Sequence, residues 1–489
     1  MILAAVNHLN GISLLGVVMM VAFAVAMSSH PTKIRWRLVA MGLMLQIFLA
    51  AVFFNSQRWT FPYRIETVSE LADAIDQDLI DESAINLEQF QNGAYASIRE
   101  LKQAISEEAI AEGEFASIEV ARYPNGIVFY AVESFFGAIQ ESVEAGTKFL
   151  FQVNPDPQDP ENATHPRAIL TTFAFGVLPT VIFFAALMSV LYYIGLMQWV
   201  IRGMAWVMQK TLGVSGAEAL AAAANVLVGH TEAPLVVKPY VATMTRSELN
   251  ALMVGGFATI SGSLMAIFAT IGVSAGHLLT ASIISAPAAL VIAKILQPET
   301  ETPESVESVE ARMDVGASNV IEAAANGASE GMKLAINIAA MLIAFLALIM
   351  FIDILLQMVG GLFNTELSLQ RIFGSIMWPL AWMMGIESKD CVVAGDLLGR
   401  KMVINEFVAY LGLIGEDADS LSDRSRVILT YALCGFSNFG AIAIQLGGIG
   451  PLAPKRKSDI AQLGLRAMLG GMLACCMTGC IAGVLFGLL

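Results

Sequence analysis

The sequence predicts an all-α polytopic membrane protein with about eight transmembrane helices and two opposed re-entrant hairpins in an inverted repeat. Three observations lead to this fold class. Of the 489 residues, 56% are hydrophobic and only 14% are charged, and the mean hydropathy is +0.67. Apolar runs of roughly 20 residues, the length that crosses a bilayer as a helix, recur along the chain. Two further apolar segments are interrupted by polar residues at their centres.

The first apolar run, residues 12–27, has no basic segment before it and no small-residue cleavage site after it, so we interpret it as a membrane helix and not as a signal peptide. Seven later runs meet the same length criterion. They are residues 38–54, 169–196, 251–273, 278–296, 334–358, 427–446 and 465–488. Lys and Arg lie in short loops such as HPTKIRWR, around Arg202 and Lys210, and in PKRKSDIAQLGLR. Loops of this kind are typically cytoplasmic, which places the chain's first residues and the segment after the second span outside.

Residues 57–165 carry almost all of the net charge of −15. This segment has 20 Asp or Glu and 6 Lys or Arg, a balance of −14. Its stretches VSELADAIDQDLIDESAINLEQFQ and ASIRELKQAISEEAIAEGEF have helical spacing with charged faces, which predicts short solvated helices without affinity for nucleic acid. A second acidic stretch, QPETETPESVESVEARMD, falls on the cytoplasmic side and predicts a flexible connector followed by a surface helix.

The two interrupted segments are residues 215–240 and 377–410. The first is broken by GHTEAP and has basic residues of the cytoplasmic type at both ends, so it should enter and leave on one side. The second is broken by GDLLGRKMVINEF and should do so from the opposite side. Each is followed by a span with a Gly-rich break, GGFATISGSL or CGFSNFGAIAI. Paired broken helices in two halves of a chain indicate the midplane site of a secondary transporter.

Several long motifs, in this order, resemble the concentrative nucleoside transporter family. They cover nearly the whole chain outside the acidic insert: IRWRLVAMGLMLQ, FAFGVLPTVIFFAALMSVLYYIGLMQWV, TLGVSGAEALAAAANVLVGHTEAPLVVKPY, MTRSELNALMVGGFATISGSLMAIF, LTASIISAPAALVIAKIL, VINEFVAY and CGFSNFGAIAI. The resemblance implies a homotrimer in the cytoplasmic (inner) membrane of a bacterium. Each subunit would couple nucleoside uptake to inward flow of sodium or, in some members, of protons, by moving a transport domain against a scaffold.

On this resemblance the chain divides into five parts. They are 1–56, N-terminal transmembrane helices; 57–165, an acidic, mainly helical extracytoplasmic insert; 166–300, a first transport repeat with its hairpin; 301–333, an acidic cytoplasmic connector and surface helix; and 334–489, a second transport repeat with its hairpin.

Glu232 and Glu406 stand out because an ionisable residue at membrane depth is costly and normally faces a cavity where it has a function. With Asn438 they offer the acceptors and donors that ribose hydroxyls and base edges need. An internal ion pair, for instance of Glu406 with Lys401 or Arg400, is the alternative interpretation.

The resemblance implies a nucleoside-binding role for nine positions. Gly229, Thr231 and Glu232 would help to hold the base, Glu406 and Asn438 the ribose, and Leu264 would touch the base from the side, while Phe436 would lie against base or sugar unless it only packs. Two positions depart from the family pattern, which commonly has Gln at His230 and Ser at Ala441. The histidine has a variable tautomer and charge, so base selectivity stays open; the alternative is that His230 is a spectator bonded to nearby backbone.

For the cation, the matching positions are Asn225, Val228, Thr259 and Ile260. Sodium is a hard ion that prefers oxygen ligands, and a broken helix supplies free backbone carbonyls near its C-terminal end. Asn225 and Thr259 would add side-chain oxygens, although a Thr in a membrane helix usually bonds to its own preceding turn. The oxygen-rich set favours sodium over protons.

Functions of other classes fit less well. His230-Thr231-Glu232 matches the H-x-E half of a zinc deaminase signature, but the P-C-x-x-C partner is absent from the sequence. H-E-x-x-H, Walker-type and G-x-S-x-G motifs are absent too, so the chain is not expected to be an enzyme. A receptor or a structural membrane protein would not need two inverted hairpins. Cation-coupled uptake of a free nucleobase, a modified nucleoside or another polar solute remains the main alternative.

Overall fold

A computed structural model describes residues 8–56, 61–65, 118–122, 127–151, 173–230, 232–304, 316–362, 365, 367–415 and 420–487. The chain forms two compact units. One comprises residues 1–50 and 136–489, and the other residues 51–135. Every helix discussed below for the site belongs to the first unit.

The helices follow the predicted order. They are α1 (His8–Ala26), α2 (Trp36–Ser56), α3 (Ile127–Phe151), α4 (Leu178–Tyr193), α5 (Leu196–Leu212), α6 (Gly216–Val228), α7 (Ala233–Val236), α8 (Lys238–Val241), α9 (Arg246–Ala258), α10 (Gly262–Thr270), α11 (Ala275–Leu296), α12 (Val320–Leu362), α13 (Leu369–Met383), α14 (Cys391–Val403), α15 (Glu406–Ile414), α16 (Asp423–Leu433), α17 (Phe439–Ile449) and α18 (Lys457–Leu485). A π-helical turn, Phe173–Val177, precedes α4, and 3₁₀ turns cover Pro31–Lys33, Gly450–Leu452 and Pro454–Arg456.

In the described part of the chain, five helical segments are long and apolar enough to cross a membrane, and a sixth results if the bent pair α4–α5 is one span. In the segments built from α9–α10, α11 and α18, 83–89% of the apolar stretch is buried inside the protein. In α1 and α2 the buried share is 33%. The first three therefore form the interior of a multi-pass membrane protein, and α1 and α2 form part of its apolar exterior.

Two predicted spans differ in detail from the observed helices, and a third has the break that its Gly-rich segment predicts. The run 169–196 ends as a helix at Tyr193, because Gly195 has a φ of +86° and the chain bends by 77° there. The run 427–446 is broken between α16 and α17, and the run 334–358 lies within α12, which has 43 residues.

The region around Arg202 and Lys210, expected to be a loop, is the amphipathic helix α5. Met197 and Ile201 are buried on one face, while Trp199 and Trp206 are exposed. An apolar face with aromatic and basic residues beside it is typical of a helix that lies in the membrane interface. The helical periodicity of α5 is not apparent from the sequence, because this stretch directly continues the apolar run of α4.

Both hairpins return to the side on which they start. In the first, Ser215 caps α6 and its Oγ donates to Glu248 Oε1 (2.6 Å) in the first turn of α9, the helix that follows the hairpin. In the second, Asp390 Oδ2 accepts hydrogen bonds from the N–H and Oγ of Ser422 (3.1 and 3.0 Å), which caps α16. These bonds confirm the re-entrant course predicted for each hairpin.

The second hairpin is shorter than the predicted range 377–410. Its first seven residues belong to α13, which ends at Met383 and is followed by Gly385 with a φ of +84°. The hairpin consists of α14 and α15, and its tip is Ile404–Asn405. Hydropathy could not separate α13 from α14, since both are apolar and the boundary depends on a single turn.

The unit of residues 51–135 contains a pair of strands that the all-α prediction did not include. Strands β1 (Phe61–Ile65) and β2 (Ile118–Arg122) pair antiparallel, with Phe61 opposite Arg122 and Ile65 opposite Ile118. The two predicted solvated helices, residues 68–91 and 96–115, lie outside the described residues, as does most of the predicted connector within 301–333. The five-part division of the chain stays a prediction.

Candidate polar site at the helix breaks

Four helix breaks meet in the interior. They are the gaps between α6 and α7, α9 and α10, α14 and α15, and α16 and α17. Ser437 Oγ donates to the carbonyl of Phe257 (2.9 Å), which joins the last of these breaks to the second. Gly229 has a φ of +80°, and a Cβ placed on it would lie 2.8 Å from Ser261 Cβ. Only glycine fits there, so the first hairpin tip lies directly against the break of the following span.

Glu406 and Asn438 are joined directly. Asn438 Nδ2 donates to Glu406 Oε2 (3.2 Å), and Asn438 Oδ1 accepts from the N–H of Ala441 (2.8 Å) as the cap of α17. Asn405 caps α15 in the same way, by accepting from the N–H of Val408 (2.9 Å). A helix N-terminus with its cap therefore holds each polar side chain in place. Glu406 and Asn438 are both buried, and a carboxylate can accept from several donors at once.

The nearby cations are used elsewhere. Lys401, fully buried, donates from Nζ to the carbonyl of Ala432 (2.8 Å), and Arg400 pairs with Asp396 (2.6 Å). The partner observed for Glu406 is the amide of Asn438. Glu406 thus makes no direct ion pair with Lys401 or Arg400 in the described part of the chain, although Lys401 lies close enough to interact with it electrostatically.

His230 lies against Phe436, with ring centroids 4.2 Å apart in an edge-to-face arrangement. His230 is 6% exposed, and neither of its ring nitrogens has a hydrogen-bond partner among the described residues. A buried polar atom without a partner is costly, so a ligand that supplies one would bind favourably here. Because Phe436 and Asn438 are two residues apart, His230 and Glu406 face the same short segment.

Gln445 was not singled out from the sequence. It is buried, donates from Nε2 to the carbonyl of Met253 (3.1 Å), and has an Oε1 without a partner among the described residues. A Cβ on Gly256 would come within 2.7 Å of both Gln445 Nε2 and His230 Cβ, so the two side chains flank the same glycine. A glutamine within an apolar helix could have indicated a polar site in the sequence. Its proximity to His230 could not be predicted, because it depends on how α9 and α17 pack.

The residues predicted for the cation lie at two adjacent helix ends. Asn225, Val228, Thr259 and Ile260 are all buried. Asn225 Nδ2 donates to the carbonyl of Ala221 (3.0 Å), while its Oδ1 has no partner in the described part of the chain. A Cβ on Gly255 would lie 3.0 Å from Asn225 Nδ2, so α6 and α9 meet at this point. Thr259 Oγ1 donates a hydrogen bond to the carbonyl of Gly255 (2.9 Å), which leaves the lone pairs of Oγ1 free to accept. The oxygen atoms of Asn225 and Thr259 are ligands of the type that a sodium ion prefers.

Leu264 and Ala441 are buried in the first turns of α10 and α17, next to the breaks. Glu232 is exposed into a cavity between the first hairpin and α4, α10 and α12. Thr231 lies outside the described residues.

Comparison with known proteins agrees with this geometry. Profiles described as Na+ dependent nucleoside transporter N-terminus, nucleoside recognition gate, and Na+ dependent nucleoside transporter C-terminus match residues 15–74, 174–275 and 277–483. An uncharacterized transporter of Haemophilus influenzae is 46% identical over 351 residues, which cover 70% of this chain and 82% of that protein. The chain belongs to the concentrative nucleoside transporter family. The fold class and family predicted from the sequence are confirmed.

Solved structures of this family have the same fold. CNTnw in an inward-facing substrate-bound state is 35% identical, with a TM-score of 0.74 over 98% of both chains. A variant of CNTnw in an outward-facing state is 34% identical, with a TM-score of 0.77 over 99% of both. Solute carrier family 28 member 3 of Eptatretus stoutii is 36% identical over 487 residues. The chain spans 60% of that relative's length, and 47% of the length of the same carrier from Mus musculus.

Proposed function

We propose that this chain is a sodium-coupled nucleoside symporter of the cytoplasmic membrane, and not an enzyme, and that it works as a homotrimer in which each subunit has its own site. The observation that carries the proposal is the meeting of four helix breaks around buried polar groups that lack partners among the described residues, above all His230 and Asn225. Membership of a family whose profiles are described as Na+ dependent nucleoside transporters supports it. A bacterial relative supports the assignment to a bacterial inner membrane.

In this proposal Glu406 and Asn438 hold the ribose hydroxyls. Their amide–carboxylate hydrogen bond orients both side chains before the nucleoside arrives. Gly229, Thr231 and Glu232 hold the base, with Leu264 and Ala441 as apolar walls. Sodium is a co-transported substrate that binds at Asn225, Val228, Thr259 and Ile260. Since the hairpin end with Asn225 continues directly into the tip with Glu232, occupation of one site orders the other, which is the physical basis expected for coupling.

Uptake should depend on sodium. In vesicles that contain the purified protein, we expect accumulation of uridine to rise with external sodium at fixed pH, because the ion completes the coordination of Asn225 Oδ1. The measurement is labelled uridine uptake with inward sodium, choline or proton gradients, each at matched osmolarity. Uptake that follows the proton gradient and ignores sodium would contradict the cation assignment.

Replacing His230 should alter base selectivity. We expect His230→Gln to shift the ratio of half-inhibitory concentrations for purine and pyrimidine nucleosides by roughly three- to tenfold, because an amide presents a donor and an acceptor in a different geometry. The measurement is a competition series against labelled uridine. His30→Gln is the matched control, since His30 is exposed in the α1–α2 turn. An unchanged order and ratio of competitors would mean that His230 only packs against Phe436.

A further inference from the structure

A cavity of about 330 Å³ lies beside the polar site, between the first hairpin and the helices α4 and α12. Glu232 of the hairpin and Tyr192 of α4 both line it. Asn326 and Glu330, one turn apart on α12, add polar groups to its lining. None of the residues that α4 and α12 contribute belongs to the nucleoside or cation positions described above.

The helices α4 and α12 pack closely against each other to form one wall of the cavity. Gly327 and Gly331, four residues apart, bring the two helices into close contact. A Cβ on Gly327 would lie 2.5 Å from the carbonyl oxygen of Ala185, and one on Gly331 would lie 2.7 Å from Ile182 Cα. Small residues at this spacing allow helix backbones to approach closely within a membrane. Asn326 and Glu330 directly precede these glycines, so they lie at the contact between the two helices.

Tyr192 supplies independent evidence for a ligand. Its side chain is 4% exposed, and its hydroxyl has no hydrogen-bond partner among the described residues. Buried tyrosine hydroxyls are usually hydrogen-bonded, because leaving one unpaired sacrifices the interactions that it had with water. A ligand hydroxyl or amine in the cavity would provide the missing partner.

The lining fits a nucleoside better than a cation. Phe184, Met188 and Leu334 provide apolar surface, and Ser189 and Ser263 add hydroxyl groups. A sodium ion would need several oxygen atoms at short range, whereas this cavity mixes donors, acceptors and apolar walls. Its volume lies at the lower end of the range for small-molecule sites.

We propose that Tyr192, Asn326 and Glu330 form a second nucleoside subsite on the wall of α4 and α12, which holds the ribose hydroxyls as the nucleoside leaves the hairpin on the cytoplasmic side. This inference rests on the proposed function. Glu330 accepts from a ribose hydroxyl, Asn326 donates or accepts beside it, and the Tyr192 hydroxyl pairs with the same sugar. The base stays near Glu232 until the sugar is held.

The charge pattern places this subsite on the cytoplasmic side. α12 begins at Val320, ten residues before Glu330, after the acidic connector that follows α11. Lys294 at the end of α11 and Arg246 at the start of α9 mark that side as cytoplasmic by the positive-inside tendency. In this proposal the cavity therefore lies on the cytoplasmic side of the hairpin tip, where the nucleoside is released.

Kinetics measured separately from each face of the membrane test the subsite. Right-side-out and inside-out vesicles from expressing cells, with equal sodium on both sides, give the half-saturation concentration of uridine at each face. We expect Tyr192→Phe and Glu330→Gln each to raise this concentration at the cytoplasmic face by roughly three- to tenfold, as for the loss of one hydrogen bond. At the outer face the change should stay within about twofold, since the subsite is not used there.

Glu322→Gln is the matched control, because Glu322 lies on the same helix but is exposed in its first turn, where it accepts from the N–H of Ser318 (2.7 Å). It should leave both faces unchanged. Equal changes at both faces, or no change in either variant while the wild type transports uridine, would overturn the subsite alone. A wild-type protein without sodium-dependent uridine transport would overturn the proposed function together with it. Thermal unfolding of each variant in detergent shows whether it is folded.

Discussion

Glu406→Gln is expected to remove more than about 90% of nucleoside uptake while the protein remains folded in the membrane, because the lost charge-assisted hydrogen bonds contribute roughly 1.5–3 kcal/mol. That free energy corresponds to a change of about ten- to hundredfold in apparent affinity. Glutamine keeps the size of the side chain, and its amide oxygen can still accept from Asn438 Nδ2. The fold should therefore tolerate the change, and the loss should fall on the ribose contact.

The measurement is initial uptake of labelled uridine in proteoliposomes, over a wide range of uridine concentrations. Glu387→Gln serves as the control. Glu387 precedes the same hairpin and pairs with the exposed Lys389 (3.1 Å), so removing its charge should not alter uptake. Near-normal transport by Glu406→Gln would show that the buried carboxylate serves packing and not the nucleoside.

Lys294→Met is expected to destabilise the protein by roughly 3–5 kcal/mol, because it leaves the buried carboxylate of Glu218 without its counter-ion. Lys294 pairs with Glu218 and with Glu299 (3.2 Å), and it donates to Ser247 Oγ (2.9 Å). Both Lys294 and Glu218 are less than one-tenth exposed. The network ties the start of the first hairpin to the start of α9 and the end of α11, so its loss should loosen the base of the hairpin.

Thermal unfolding of the purified protein, followed by fluorescence, gives the change. The double variant Glu218→Gln with Lys294→Met should recover a large part of the lost stability, since it removes the orphaned charge as well. Lys389→Met removes an exposed surface cation and should have little effect. An unfolding midpoint of Lys294→Met equal to that of the wild type would show that the pair does not hold the hairpin.

Sequence patterns were sufficient for the helix breaks and for the residues at their tips. An interruption such as GHTEAP or NEF inside an apolar run is visible because membrane depth tolerates irregular backbone only in a protein-lined site. Glu232 and Glu406 were visible for a similar reason, as carboxylates where hydrocarbon would penalise them. The order of the motifs then carried the resemblance to the family.

Patterns failed where the outcome depended on partners that are distant in the chain. The antiparallel pairing of β1 with β2 joins residues separated by a long acidic segment, and nothing local specifies that register. α13 and α14 are both apolar, so the turn at Gly385 that separates them did not appear in the hydropathy. α5 continued an apolar run, and the 77° bend alone turned it into an interfacial helix.

The candidate site likewise combines features that were visible in the sequence with contacts that depend on distant residues. Two local rules, the cost of burying charge and the cost of unpaired backbone, were enough to single out the helix breaks with Glu232 and Glu406, whereas the roles expected of Asn438 and of the cation positions came from the resemblance to the family. Helix packing alone brought Asn438 onto Glu406, Phe436 onto His230, and Tyr192 with Glu330 into one cavity. The reason is physical: a break depends on neighbouring residues along the chain, whereas a contact or cavity depends on how separate helices fill space together.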